Sequence, residues 1–309
     1  MRAPWSPPRS ARPWPARSPT RWARPGSGCA SGSPAASSGW SAARWTVSRC
    51  ARSSSRSSRL RRPGAGSGAD DAQGRDGVVV RIVVLTGAGI SAESGLPTFR
   101  DADGLWHGHR VEEVATPEAF ERVPALVHRF YDERRAALAT VRPNAAHEAL
   151  ARLEQALGDD LLVVTQNIDD LHERSGSRQV LHMHGRLRSA LCGSCAGHFD
   201  WVGDLGDAPP CPRCGRRELR PDVVWFGEAP YDMDRILGAV GRADLFVSVG
   251  TSGAVYPAAG FVQYAAGQGA RTLELNLVPS EGSHLFDESR HGPASRLVPE
   301  WVAEIFDTP

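Results

Sequence analysis

Apolar runs too continuous for a one-sided strand alternate with segments of helical spacing, and this rhythm begins only near residue 78. Residues 78–85 form an almost unbroken β-branched run. Similar runs open the segments 161–169, 180–185, 244–252 and 272–276. Runs apolar on both faces predict buried strands of a parallel sheet. Between them, residues 117–123, 125–140, 144–157, 232–241, 257–267 and 299–306 have helical spacing, with Phe120, Leu126, Phe130 and Leu138 marking the apolar face of the first two. Strands alternating with helices predict an α/β fold built on a Rossmann-like parallel sheet. Two segments interrupt it: a helical insertion at about residues 105–142 and a small module at about residues 187–220.

The polar residues fall where such a sheet would use them. Each apolar run ends in Gly, Ser, Thr, Asn, Asp or His, and ligands of open α/β sheets bind outside the carboxyl ends of the strands. The first run passes into Gly87-Ala-Gly89-Ile-Ser91-Ala-Glu93-Ser94. Its glycines permit a sharp turn and a close approach to a ligand. Ser91 and Ser94 are placed to satisfy the first amides of a following helix, whose N-terminus favours a phosphate. The outline is that of a dinucleotide site. The third fingerprint glycine is missing, however, and no acidic residue ends an obvious second strand, which argues against a dehydrogenase.

Charge divides the chain. All 36 basic residues are arginine; residues 1–78 hold 14 of them against three acids, leaving 22 arginines against 32 acids in the remainder. The small overall charge is therefore two opposite charges cancelling. The Arg/Ser/Pro-rich segment 1–78 lacks apolar periodicity and is expected to be disordered. Three explanations stay open: an organellar transit peptide, a nucleic-acid-binding tail, or upstream DNA read from a start set too early, with translation beginning near residues 78–80. The absence of lysine beside abundant Arg, Ala, Gly and Pro favours the third. The folded unit is then residues 79–309. No run of ~20 apolar residues predicts a membrane span, so no membrane partner and a cytoplasmic location are expected.

Of six cysteines, Cys29 and Cys50 lie in the tail; the others are Cys192-x-x-Cys195 and Cys211-x-x-Cys214, fifteen residues apart. That spacing predicts a zinc ribbon, with two disulfides the weaker alternative. Four thiolates leave no open position, so the metal would hold structure and do no chemistry. The acidic surroundings (Asp200, Asp204, Asp207) argue against direct nucleic-acid binding.

In order, GAGISAESGLPTFRD, TQNID, HG, the two Cys-x-x-Cys pairs, VVWFGE and GTS resemble the sirtuins, NAD-dependent protein deacylases, over residues 79 to about 306. Ala115-Thr-Pro117, Tyr131-Asp-Glu-Arg134, Pro257-Ala-Ala-Gly260 and Gly292-Pro-Ala-Ser295 are similar to the class III branch, which includes the mitochondrial desuccinylase. The resemblance implies that His184, the histidine followed by glycine, is the catalytic base, and it leaves His182 a structural role. It gives Asn167 a catalytic part beside His184 and places Asn167 and Asp169 at the nicotinamide ribose and carboxamide, with Gln166 and Ile168 beside them. Phe99 would shield the anomeric carbon, while Arg100 and Asp101 end the loop covering the cofactor. Gly87, Ala88, Gly89, Ile90, Ser91, Glu93, Ser94, Thr98 and Trp106 complete the near side of the NAD site. Gly250, Thr251, Ser252, Asn276, Leu277, Val278 and Ala294 line its adenosine end. Val224, Phe226, Gly227 and Glu228, in an extended segment 223–228, would pair with the substrate backbone. Ala115, Tyr131 and Arg134 would receive a longer, acidic acyl group.

The implied activity removes acetyl, succinyl or malonyl groups from protein lysines, giving nicotinamide and 2′-O-acyl-ADP-ribose. A mono-ADP-ribosyltransferase, or a non-catalytic NAD-binding module that reads acylated proteins, are the alternatives.

Overall fold

The computed structural model describes residues 80–98 and 108–307. The segment 1–78, with its three explanations, lies outside the described residues, as do Phe99, Arg100, Asp101 and Trp106.

The first apolar run forms β1 (Ile82–Thr86), buried along its whole length. It turns at Gly87 into the short α1 (Ala88–Ala92). The helical insertion then supplies α2 (Val111–Val114), α3 (Pro117–Arg122) and α4 (Pro124–Ala137), and α5 (Ala145–Leu157) returns the chain to the sheet. There follow β2 (Leu161–Thr165), α6 (Leu171–Ser175) and β3 (Val180–His182). An excursion through β4 (Gly185–Cys192), β5 (His198–Asp200) and β6 (Leu219–Val223) precedes α7 (Met233–Val240), β7 (Leu245–Val249) and α8 (Phe261–Gly267). The chain closes with β8 (Arg271–Asn276), β9 (Glu288–His291) and α9 (Ala294–Phe306).

The main sheet is parallel throughout, in the order β3-β2-β1-β7-β8-β9. Alternation along β1 builds both faces of the core. Ile82 and Val84 pack with Leu150 and Leu153 of α5 and Val298 and Trp301 of α9, while Val83 and Leu85 pack with Ile236 of α7 and Phe261 of α8. Thr86 stands opposite both Thr165 and Val249, so the three central strands end level with one another. The residues that follow each strand therefore emerge at one edge. The excursion forms a separate three-stranded sheet, β5-β4-β6, in which β6 is an edge strand.

Several expectations are corrected. The strand edge β9 was missed because Glu-Ser-Arg-His is a half-exposed edge sequence with no apolar run. The last helix begins at Ala294, and Pro299, read as its start, lies inside it; proline's fixed φ suits a helix, although it removes one backbone bond and crowds the carbonyl four residues before it. His184 does not continue β3: the strand ends at His182, and Gly185, at φ +80°, starts β4 in a new direction. Period-two alternation along a strand would set His182 and His184 on one face, and the break between β3 and β4 removes that expectation. The segment 223–228 is extended only at its start, since Phe226 and Gly227 form a turn with Gly227 at φ +92°. Ser91 and Ser94 do not cap α1, whose N-cap is Gly87 with no side-chain bond.

Candidate active site

The glycines at the carboxyl edge are required first by packing. A Cβ on Gly89 would lie 2.7 Å from Gly250 Cα, and one on Gly250 would lie 2.4 Å from the Ile90 nitrogen. The turn after β1 thus sits directly on the turn after β7, joined by Gly89 N–H donating to Gly250 C=O at 2.8 Å. This contact aligns the start of α1 with Thr251 and Ser252. Asn276, at the end of β8, donates from Nδ2 to Thr251 C=O at 2.8 Å. Beside it Leu277 and Val278 are exposed apolar side chains, 66% and 62% accessible. An apolar pair left in water at a strand end, next to turn amides and an asparagine, fits the adenosine end of a dinucleotide.

Ser91, Asn167 and Asp169 form a buried polar trio at the other end. Asn167 Nδ2 donates to Gly87 C=O at 3.1 Å and to Ser91 Oγ at 3.2 Å, and Ser91 Oγ donates to Asp169 Oδ2 at 3.0 Å. Desolvation pushes the Asp169 carboxyl above its usual value, against bonds from the Leu171 amide and Ser91.

Behind the trio lies a group of residues that the sequence reading did not assign to the site. His147 Nε2 is 3.5 Å from Ser91 Oγ, its ring packs edge-on against His172 at 5.0 Å, and His172 Nε2 bonds Thr86 Oγ1 at 3.0 Å. Burial lowers the pKa of His147 to about 4 and that of His172 well below the imidazole value. Asn144, the N-cap of α5, also donates to Ile90 C=O and to Ser94 Oγ. The available signal was polar residues at positions a helix of this pattern would bury.

His184 Nδ1 lies 3.1 Å from Gln166 C=O. A carbonyl can only accept, so Nδ1 carries the hydrogen and Nε2 is left as the basic nitrogen. Desolvation lowers the pKa of His184, with the Gln166 bond opposing, so the ring is neutral at neutral pH. His182 has different work: Nδ1 meets Asn167 C=O at 3.0 Å and Nε2 meets Glu173 at 2.6 Å. It holds the backbone of the trio in place.

The insertion and β6 build an apolar cluster of Val114, Ala115, Val127, Phe130, Tyr131, Leu187, Val223 and Trp225. Ala115 C=O accepts from Phe226 N–H at 3.0 Å, and Trp225 Nε1 donates to Tyr131 Oη at 3.0 Å. Arg134, one helical turn from Tyr131, lays its guanidinium 3.2 Å over the Phe130 ring, and desolvation lowers its pKa to about 10. The expected Ala115, Tyr131 and Arg134 are thus brought together. Glu228 is occupied elsewhere, by Trp225 N–H at 2.8 Å and Arg220 at 2.9 Å. Glu93 likewise accepts from Ser295 N–H and Oγ, and so ties the start of α9, with Ala294, to the end of α1. Ile90 is wholly buried and serves the core.

Cys192, Cys195, Cys211 and Cys214 bring their sulfurs within 4.8 Å of one another. The Cys192–Cys214 and Cys195–Cys211 separations are both 3.7 Å. Disulfides need about 2.05 Å, which removes that alternative. Four sulfurs ~2.3 Å from a tetrahedral zinc stand ~3.8 Å apart, so the donor set fits zinc.

Residues 87–257 match the Sir2 family model. The chain belongs to that family, the sirtuins. It is 56% identical over 229 residues to an NAD-dependent protein deacylase of Pasteurella multocida, covering 73% of this chain and 98% of the relative. A protein of the same name from Bdellovibrio bacteriovorus is 55% identical over 229 residues, with 73% and 97% covered. Among solved structures, a Sir2 homologue–NAD complex superposes with a TM-score of 0.67 at 41% identity, covering 73% of this chain and 89% of that one.

Proposed function

We infer that this chain is an NAD-dependent protein-lysine deacylase of class III type, acting on acetyl and on acidic acyl groups such as succinyl and malonyl. The observation that carries the reading is a neutral histidine, its Nε2 available as base, between a buried Ser–Asn–Asp trio and an apolar cluster rimmed by Arg134. When bound, NAD supplies an electrophilic anomeric carbon and nicotinamide as leaving group. Asn167, Asp169 and Ser91 hold the carboxamide end, and a site built to bond those groups penalises analogues lacking them. His184 Nε2 takes a proton from a ribose hydroxyl, a task suited to a base titrating below neutrality. The open edge of β6 pairs with the backbone of the protein substrate, giving affinity with little sequence preference. Arg134 offers a charge-assisted fork to a distal acyl carboxylate. No helix among the described residues is long and apolar enough to cross a membrane, and we place the enzyme in the cytoplasm.

The test is incubation with acetylated and succinylated versions of one peptide plus NAD, followed by mass analysis for 2′-O-acyl-ADP-ribose. Its formation from both supports the reading. ADP-ribose transferred to protein without deacylation favours the ADP-ribosyltransferase, and binding of NAD without turnover favours the non-catalytic module.

A further inference from the structure

The helix that carries Tyr131 and Arg134 has a second, buried polar face. Asp132 and Arg135 on α4 form an ion pair of 2.6 Å whose side chains are 11% and 3% exposed. Successive helix residues are ~100° apart, so this pair lies on the face beside the one presenting Tyr131 and Arg134. Its bonds leave the helix for two places, β4 and the loop at residues 203–206. Arg135 Nε donates to Leu187 C=O in β4 at 2.9 Å, and its Nη1 to Gly203 C=O at 3.3 Å. The Asp132 carboxylate accepts from Leu205 N–H at 3.0 and 3.1 Å and from Gly206 N–H at 3.0 Å, in the loop of the cysteine module. Leu187 N–H in turn donates to Ile168 C=O at 2.7 Å, between Asn167 and Asp169.

We propose that Asp132 and Arg135 are positioning residues for acyl recognition. They fix the rotation of α4 about its axis, and hence the aim of Tyr131 and Arg134, against both the cysteine module and the nicotinamide block. The inference rests on the acidic-acyl reading above. A buried ion pair contributes little net stability compared with an apolar pair of the same volume. Here one donor, Arg135 Nη2, is also buried without a partner, so stability is a poor account of the pair. Direction is the better one: two charges bonded to four backbone groups, one in β4 and three in the loop of the cysteine module, define an orientation that apolar contacts leave loose. A displacement of ~1 Å at a positioning element can cost ~10²-fold in rate. Acetyl-lysine has no distal carboxylate to meet, so it should feel little of the change.

The experiment compares kcat and KM on acetylated and succinylated versions of one peptide for the full chain, Arg135→Lys and Asp132→Asn, each checked for folding and for zinc content. Arg135→Lys keeps the charge but loses the fork. Because a stranded charge can prevent folding, the double substitution Asp132→Asn with Arg135→Gln supplies a neutral pair of similar shape. The expected result is a ~10-fold fall in the succinyl-to-acetyl ratio of kcat/KM, carried by a higher KM for the succinylated peptide. Folded, zinc-loaded variants with an unchanged ratio, or with both substrates lowered equally, overturn the positioning role. A wild-type enzyme that does not turn over the succinylated peptide overturns the acidic-acyl reading itself, and this inference with it.

Discussion

His184 owes its protonation state to burial and to one neighbour, which act in opposite directions. Burial favours the neutral ring, and the Gln166 carbonyl bonded to Nδ1 fixes which nitrogen is basic. His184→Ala removes the base and leaves the trio untouched, so turnover should fall ~10²–10⁴-fold while NAD affinity, measured by calorimetry, is largely retained. Deacylation above a tenth of wild type would assign the proton transfer elsewhere. Arg134→Met tests the rim of the acyl cluster. Methionine keeps an aliphatic stem but strands an acyl carboxylate, costing ~2–3 kcal/mol. The succinyl-to-acetyl ratio of kcat/KM should then fall ~30- to 150-fold. Equal loss on both substrates would make Arg134 structural.

Among the elements, legibility followed burial. β1, β2, β7 and β8 were readable because strands covered on both faces need no polar alternation. β9 was not, since an edge strand can be almost wholly polar. The helix at residues 144–157 was readable from its spacing, but the site-directed bonds of Asn144 Nδ2 were not, because they cross to Ile90 and Ser94, far away in sequence. The trio and His184 were found through motif resemblance, whereas the reason for Gly87 and Gly89 needed the contact with Gly250. The cysteine module was legible from spacing alone. Its thiols hold β4 against the loop that carries Leu205, and structural zinc contributes ~10–16 kcal/mol in isolated peptides. Cys211→Ser should therefore release the metal and loosen the module. Metal analysis and proteolysis check this, and a Cys211→Ser protein with one zinc per chain and wild-type protease resistance contradicts it.

For the whole molecule, the buried histidines set an acid limit. His147 has a folded pKa of about 4 against ~6.5 in an unfolded chain. Above that unfolded value both states are neutral and the group has no effect. As pH falls from 6.5 towards 4, the unfolded chain binds a proton that the folded one refuses, so stability declines by ~3 kcal/mol from this residue. His172, lowered in the same sense, adds to the loss. The urea midpoint should be lower at pH 4.5 than at pH 7, and replacing His147 by Asn should flatten the dependence. A midpoint independent of pH would mean that these rings are hydrated.

The seating of Gly89 on Gly250 also bears on how the chain reaches its working form. β1 pairs with strands that begin at Leu161 and Leu245, so the two turns meet only after distant parts of the chain have come together. Contacts of that kind are slow to form. A nascent fragment that ends before β7 lacks Gly250 and with it one side of the dinucleotide cradle, so ligand capture and completion of the sheet become one equilibrium. NAD at a hundred times its dissociation constant would add ~2.7 kcal/mol to the folded state, so a chain destabilised elsewhere would persist longest where the dinucleotide is abundant.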